Sequence, residues 1–132
     1  MINERGYCMI DLIEVNLEID YIEKVNLKGA NFKGANLEET NLVGAHLEKA
    51  CFKEARLKEA DLKEAHLGET HFEGANLEKA HIEGTDLVGA HLEDAHLEKA
   101  HLDGANLNVL TLIGLTLKEL TLNVLILKGL SL

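Results

Sequence analysis

An apolar residue stands at every fifth position of this chain, without interruption, from Leu12 to Leu132. These positions hold twenty leucines, three phenylalanines (Phe32, Phe52, Phe72) and two isoleucines (Ile22, Ile82). On an α-helix a step of five residues turns the side chain by about 140°, so the apolar residues would spiral around the helix and form no stripe. On a straight strand the odd step would send them alternately to opposite sides of the sheet. The repeat therefore predicts a chain that turns a corner in every repeat and points its central residues at one axis, which is a β-solenoid.

The other positions of the repeat agree with this geometry. Two residues before the apolar centre, Ala occurs thirteen times and Thr three times between residues 30 and 105, which predicts a tight inward corner. Nine of the eleven glycines stand two residues after the centre, where a type II turn needs a positive φ. The positions on either side of the centre are mostly polar or charged, so they are expected to face water. The Ala-, Glu- and Lys-rich segments favour helix by propensity, but propensity is a weaker signal than period.

Units such as Ala30-Asn31-Phe32-Lys33-Gly34 and Ala60-Asp61-Leu62-Lys63-Glu64 resemble the pentapeptide repeat family, whose units read Ala-(Asp/Asn)-Leu-X-X. The resemblance extends over residues 10–132. It implies an all-β fold, a right-handed quadrilateral β-helix with four repeats in each coil. The three phenylalanines are spaced by twenty residues and would stack in consecutive coils of that length. We therefore expect about six coils and a rod roughly 30 Å long at the usual strand spacing.

The two ends of the chain depart from the regular repeat. We expect residues 1–9 to form an N-terminal lead-in or cap, and residues 10–132 to form a single solenoid domain. In residues 108–132 the corner residue changes from Ala to Leu, which predicts an atypical, wider C-terminal coil. Four branched apolar residues stand there at outward positions: Val109, Ile113, Val124 and Ile126. They predict self-association as a homodimer through this end; the alternative is a wider coil that buries its leucines within one chain.

Composition narrows the classes of partner. The chain has thirteen basic and twenty-three acidic residues, a formal charge of −10, and only five aromatic residues. It thus lacks the positive field and the stacking platform of nucleic-acid binders, so we expect no direct nucleic-acid binding. No run approaches the length of a membrane span and no secretory signal is evident, so we expect no membrane association and a cytoplasmic location. Cys8 and Cys51 are expected to be reduced thiols.

Negative charge is concentrated between Gly68 and Gly104, where nine acids accompany two lysines. The preceding segment, 49–63, contains five basic and three acidic residues, so the rod is expected to be electrically polarised. We predict an acidic interaction face for a protein partner. Its members are Glu69, Glu73, Glu78, Glu83, Glu93, Asp94, Glu98 and Asp103.

All seven histidines occupy the position before the apolar centre. Residues twenty apart would stack in this fold, which predicts three columns: Cys51–His71–His91, His81–His101 and His46–His66. Zinc and other borderline metals accept such ligands. Parallel side chains on a flat side do not converge tetrahedrally, however, so we predict no metal site and no cofactor.

Catalytic groups are sparse. Ser131 is the only serine, Cys51 is the only plausible thiol nucleophile within the repeat, and a core filled by Leu, Phe and Ala leaves no substrate cavity. We therefore predict a non-enzyme: a structural or protein-interaction module that presents flat charged faces to an unknown protein partner. The alternative is an acidic DNA mimic that acts on a type II topoisomerase such as gyrase. The resemblance implies this alternative, because some pentapeptide repeat proteins that act on these enzymes are dimeric acidic rods.

Overall fold

The computed structural model describes residues 10–17 and 21–107. Sixteen isolated parallel β-bridges each join a residue to the one twenty positions later, from Asp11–Asn31 to Asp86–Asn106. Every bridge lies at the residue before an apolar centre, and successive bridges along the chain are five residues apart, so each coil has four sides. The predicted four-sided coil of twenty residues is thereby confirmed. The described residues form bridges and turns and contain no helix.

Backbone hydrogen bonds join each coil to its neighbours. The Phe32 N–H donates to the Cys51 carbonyl at 2.7 Å, and the Cys51 N–H donates to the Ala30 carbonyl at 2.9 Å. The Gly34 N–H donates to the Lys53 carbonyl at 2.9 Å, and the same pattern recurs along the described rod. Since these bonds connect only adjacent coils, the stability of the rod is approximately a sum over neighbouring coils.

A type II turn forms each corner. At most corners the carbonyl of the apolar centre accepts a hydrogen bond from the N–H three residues later, as in the 3.0 Å bond from Ala35 to Phe32. The residue two after the centre has a positive φ in every described repeat, which with this bond defines a type II turn. Seven of these residues are glycines with φ of 63–71°, as predicted, and eleven are Glu, Lys or Asp with φ of 54–61°. Side chains thus occupy a backbone region that favours glycine.

Replacing Gly74 by alanine is expected to lower the free energy of unfolding by about 1 kcal/mol, because a Cβ strains the left-handed backbone. The φ of Gly74 is 68°, and an added Cβ would meet only the Glu54 side chain at 3.8 Å, so the loss would report backbone conformation. Gly68 has no positive φ, and its Cβ would meet the Val88 carbonyl oxygen at an ordinary 3.6 Å. Gly68→Ala is therefore the control and should be neutral or slightly stabilising in urea unfolding. Equal losses in both variants would contradict the turn assignment.

Two kinds of residue fill the interior. The central Leu, Phe and Ile residues from Leu27 to Leu107 and the corner alanines are at most 6% exposed. The Phe52 ring stacks between Phe32 and Phe72 with centroid distances of 4.8 and 5.0 Å and interplanar angles of 0° and 7°. The predicted phenylalanine stack is confirmed, and it lies inside the solenoid. Small corner residues let the backbone turn close to this apolar column.

Three corners carry threonine instead of alanine, and all three threonines are buried. The Thr70 hydroxyl donates to the Leu67 carbonyl at 2.6 Å, and the Thr85 hydroxyl donates to the Ile82 carbonyl at 2.9 Å. Thr40 donates instead to the carbonyl of Leu17 in the preceding coil at 2.6 Å. Each buried hydroxyl therefore has a backbone partner, which removes the cost of burying it.

The first described coil is regular in its pairing but open in its packing. Tyr21 bridges Asn41 in the common register, yet its side chain is 82% exposed. Ile10, Ile13 and Val25 are also exposed, which agrees with the loss of small corner residues in this part of the sequence. The predicted cap (1–9), the atypical coil (108–132) and therefore the count of six coils lie outside the described residues.

Candidate functional site

The twenty-residue register arranges surface side chains in columns. A residue before an apolar centre stacks on its equivalent in the next coil, and the residue after the centre forms a second column beside it. Where Asn or Asp stands before the centre, its Oδ1 accepts a hydrogen bond from the N–H two residues later. Asn76, for example, accepts from the Glu78 N–H at 3.0 Å. The surface therefore consists of ordered rows on four rigid sides.

The eight acids of the predicted interaction face do not share one side. Six stand directly after an apolar centre and form three columns on three consecutive sides. The other two are exposed and stand at the positive-φ turn position, two residues after a centre. We call this set the acidic band. Its columns are Glu73–Glu93, Glu78–Glu98 and Glu83–Asp103. Its members at the turn position are Glu69 and Asp94. The turns thus distribute the acids of the predicted face around the rod.

The basic segment 49–63 neutralises part of the acidic band. Lys49 Nζ lies 3.6 Å from Glu69 Oε2, and Lys53 Nζ lies 3.1 Å from Glu73 Oε1. Both lysines stand one coil before their partners. Such exposed ion pairs contribute about 0–1 kcal/mol each, so their main effect is on charge distribution. The two lysines therefore pair with acids in the first coil of the band.

The Glu73 carboxylate has two side-chain partners. Its Oε1 lies 3.1 Å from His71 Nδ1 as well as 3.1 Å from Lys53 Nζ. Burial raises the pKa of the Glu73 carboxyl, but hydrogen bonds from its own backbone N–H, His71 and Lys53 outweigh burial, so the pKa is lowered. The same contact raises the pKa of Lys53. Glu73 is therefore a charged carboxylate at neutral pH.

The predicted histidine columns are present. His46 stacks on His66 and His71 stacks on His91, with centroid distances of 4.6 and 4.7 Å and interplanar angles of 9° and 6°. The third pair, His81 and His101, stacks at 5.0 Å. Cys51 bridges His71 through its backbone and is a free thiol, so the predicted order of that column is also confirmed.

Sequence reasoning missed the carboxylates beside these histidines. A glutamate follows two residues after His46, His71, His81, His91 and His96. The Nδ1–Oε1 distances are 3.1 Å for His71–Glu73, 3.3 Å for His81–Glu83 and 3.6 Å for His91–Glu93. The signal was the recurring His-x-Glu spacing, because residues i and i+2 on one short side point the same way.

Two clusters bring histidine and glutamate donors together. The ligand atoms of His71, Glu73 and His91 all lie within 4.8 Å of one another. The same limit holds for the ligand atoms of His46, Glu48 and His66. Cys51 belongs to neither cluster.

The surface of the described rod also has an open polar groove, which is lined by residues between Glu39 and His101. Its volume is about 630 Å³, and Lys79 pairs across it with Glu59 at 2.9 Å. Its lining is Glu39, Glu59, Lys79, His81, Lys99 and His101. The groove is lined by charged and polar side chains, unlike the mostly apolar pockets that enclose small-molecule substrates.

Two further predictions concern other parts of the molecule. The candidate self-association residues Val109, Ile113, Val124 and Ile126 lie outside the described residues. Within 10–17 and 21–107, no helix is long and apolar enough to cross a membrane.

Comparisons with known proteins agree with this geometry. The family description "Pentapeptide repeats" matches residues 23–58 and 55–94 in eight copies, more than half of the chain. No protein with a curated description matches the sequence. Among solved structures, a pentapeptide repeat protein of the cyanobacterium Cyanothece 51142 is 27% identical, with a TM-score of 0.45 over 86% of this chain and 87% of that one.

Two other solved structures extend the comparison. A pentapeptide repeat protein from the Arabidopsis thaliana thylakoid lumen is 26% identical, with a TM-score of 0.44 over 74% of this chain and 65% of that one. QnrB1, described as a plasmid-mediated fluoroquinolone resistance protein, is 18% identical, with a TM-score of 0.36 over 86% of this chain and 77% of that one. The family match and the four-sided coils confirm the predicted fold class, a right-handed quadrilateral β-helix. The regular four-sided coils and the eight matched repeats establish that this chain belongs to the pentapeptide repeat family, whose members are generally non-enzymatic structural repeat proteins.

Proposed function

We propose that this chain is a non-catalytic interaction module whose acidic band binds a basic surface of a protein partner. The observation that carries the proposal is the arrangement of the band: acid columns on three consecutive sides of a rigid coil. Nine acids and two lysines between residues 68 and 104 leave a charge of −7 on this part of the rod. A partner would therefore meet negative charge along several sides of the rod.

The rigid backbone favours such a role. Side chains on a hydrogen-bonded solenoid keep fixed spacings, so a partner with matching cations binds without ordering a loop. Complementary charge raises the association rate and selects among partners, and salt screens both effects. We therefore expect binding to be salt-sensitive and to involve basic partners.

Reversing three charges of the band tests the proposal. The variant Glu78→Lys, Asp94→Lys, Glu98→Lys reverses the charge of one column and of one neighbouring turn residue. It leaves the histidine–glutamate clusters intact. Lysine is compatible with the positive φ at position 94, because Lys79 and Lys99 already adopt it. In affinity capture from an extract of the source organism, recovery of basic proteins at low salt should fall about tenfold.

The matched control reverses three acids outside the band: Glu39→Lys, Glu54→Lys, Glu64→Lys. These residues are exposed and stand at the positive-φ turn position, and their reversal produces the same change in net charge. Retained capture by this control, together with loss in the band variant, would support a localised surface. Equal loss in both variants, or recovery unchanged by salt in the wild type, would reject the acidic band as the binding surface.

A second candidate is the acidic DNA mimic acting on a type II topoisomerase. The acid columns on three sides of the rod favour it, since duplex DNA presents negative charge around its whole circumference. A supercoiling assay with purified gyrase separates the two functions. Inhibition, or protection from a fluoroquinolone, that disappears in the band variant would support mimicry. No effect at micromolar protein would reject mimicry and leave the protein-interaction proposal standing.

A further inference from the structure

The prediction of no metal site was based on the stacked histidines and Cys51, and the structure adds a carboxylate donor to two of the histidine columns. In the first cluster, Glu73 lies beside His71 at 3.1 Å, and His91 stacks on His71 in the next coil. Donor atoms from all three residues lie within 4.8 Å of one another. His46, Glu48 and His66 repeat the arrangement on the adjacent side of the rod. Both clusters offer two nitrogens and one carboxylate.

The carboxylates carry a second, independent feature. Oε2 of Glu48 and Oε2 of Glu73 are shut off from solvent and have no hydrogen-bond partner. A buried carboxylate oxygen without a partner costs free energy that a bound cation would recover. Glu83 and Glu93 have the same orphaned oxygen, so this feature is not confined to the two clusters. The two clusters differ in that both imidazoles and the carboxylate place their donor atoms within 4.8 Å of one another.

We propose that the clusters His71–Glu73–His91 and His46–Glu48–His66 each bind one divalent first-row transition cation of the Zn²⁺, Ni²⁺ and Cu²⁺ class. Imidazole nitrogen suits these ions, whereas Mg²⁺ and Ca²⁺ prefer oxygen donors. Each cluster supplies three protein ligands, and water would complete the coordination. The negative charge of the whole chain attracts cations to both sites.

The stacked rings have to adjust when the cation binds. Four-coordinate zinc, with bonds of about 2.0–2.1 Å, keeps its donors roughly 3.3 Å apart, which is closer than two parallel rings allow. One imidazole therefore rotates toward the other. The side chains of His71 and His91 are 40% and 42% exposed, so solvent leaves room for this rotation.

Lys53 makes the two sites unequal. Its ammonium group lies 3.1 Å from the Glu73 carboxylate and competes with a cation for it. Lys53→Gln removes this competitor and leaves all three ligand residues unchanged. It should tighten binding at the His71 cluster several-fold and leave the His46 cluster unchanged.

Calorimetric titration of the full, untagged chain with ZnCl₂ at neutral pH tests the proposal. We expect two equivalents to bind, with one lost in His71→Asn and the other lost in His46→Asn, each site weakened about tenfold or more. Asparagine is the right replacement because it occupies the same repeat position elsewhere in the rod. There, as at Asn31, its Oδ1 accepts the local backbone N–H at 3.2 Å.

His96→Asn is the matched control. His96 has a glutamate two residues later, with an Nδ1–Oε1 distance of 3.6 Å, but it bridges Asn76 in the preceding coil. This variant should keep both equivalents. Circular dichroism checks that every variant remains folded, and Cu²⁺ electron paramagnetic resonance should show two coordinating nitrogens per site.

The outcomes divide clearly. One equivalent removed by only one of the two ligand variants would support that cluster and exclude the other. Absence of saturable heat up to about 1 mM zinc would overturn the proposal. Equal losses in His96→Asn and the ligand variants would also overturn it, because binding would then be diffuse association with surface histidines.

Discussion

Replacing Phe52 by alanine is expected to lower the free energy of unfolding by about 3–5 kcal/mol, the largest effect that a single substitution should have here. The Phe52 ring is fully buried and stacks on Phe32 and Phe72. Alanine would leave a cavity between two rings that are held by hydrogen-bonded backbones above and below. Those coils cannot collapse into the space without breaking their own ladders, so little of the loss is recovered.

Phe52→Leu is the control for this prediction. Leucine occupies most of the central positions and fits the same interior, so the loss should stay below about 1.5 kcal/mol. Equilibrium unfolding in urea measures both variants, and Tyr21→Ala, at an 82% exposed position, should change almost nothing. If Phe52→Ala cost no more than Phe52→Leu, the stacked column would not be the main stabilising element of the interior.

The second large effect is expected at an inward corner. Ala75 is completely buried where the backbone turns. Ala75→Leu adds three carbons to a site without spare volume, and overpacking of this kind costs about 1–3 kcal/mol. The cost should appear in urea unfolding as a lower transition midpoint with an unchanged slope, because the surface exposed on unfolding is nearly the same.

Ala75→Thr is the matched control at the same corner. Thr70 and Thr85 occupy equivalent corners and donate to the carbonyl three residues earlier, so a threonine at position 75 can satisfy its hydroxyl in the same way. Its cost should be below about 1 kcal/mol. A leucine variant as stable as the threonine variant would show that the corners have room, against the packing described here.

The fold was predictable because one signal repeats with a fixed period. The five-residue spacing excludes a helix and a straight strand, and the interval between Phe32, Phe52 and Phe72 identifies the coil length. The left-handed turns at Glu54 and Lys79 were less visible, because neither residue type favours a positive φ. There the hydrogen-bonded coil determines the backbone conformation in spite of local preference.

The candidate sites were predictable only in part. The coil length alone places His91 over His71. The contact of Glu73 with His71 also depends on side-chain rotamers, and the isolation of its second oxygen depends on packing by neighbouring coils. The acidic residues were read as one face because they are close in sequence. Each repeat turns a corner, however, so Glu73, Glu78 and Glu83 lie on three different sides.

The bridges between residues twenty positions apart have a consequence for how such a chain can diverge. Loss of one whole repeat keeps every centre, corner and turn in phase, yet it rotates all downstream surface columns by a quarter turn. A five-residue deletion between His46 and His66, for example, would seat His71 on His46. Insertions and deletions of whole repeats can thus rearrange the exterior of the rod while every apolar centre still points inward. The stack of Phe32, Phe52 and Phe72 keeps its register only where the change lies outside it.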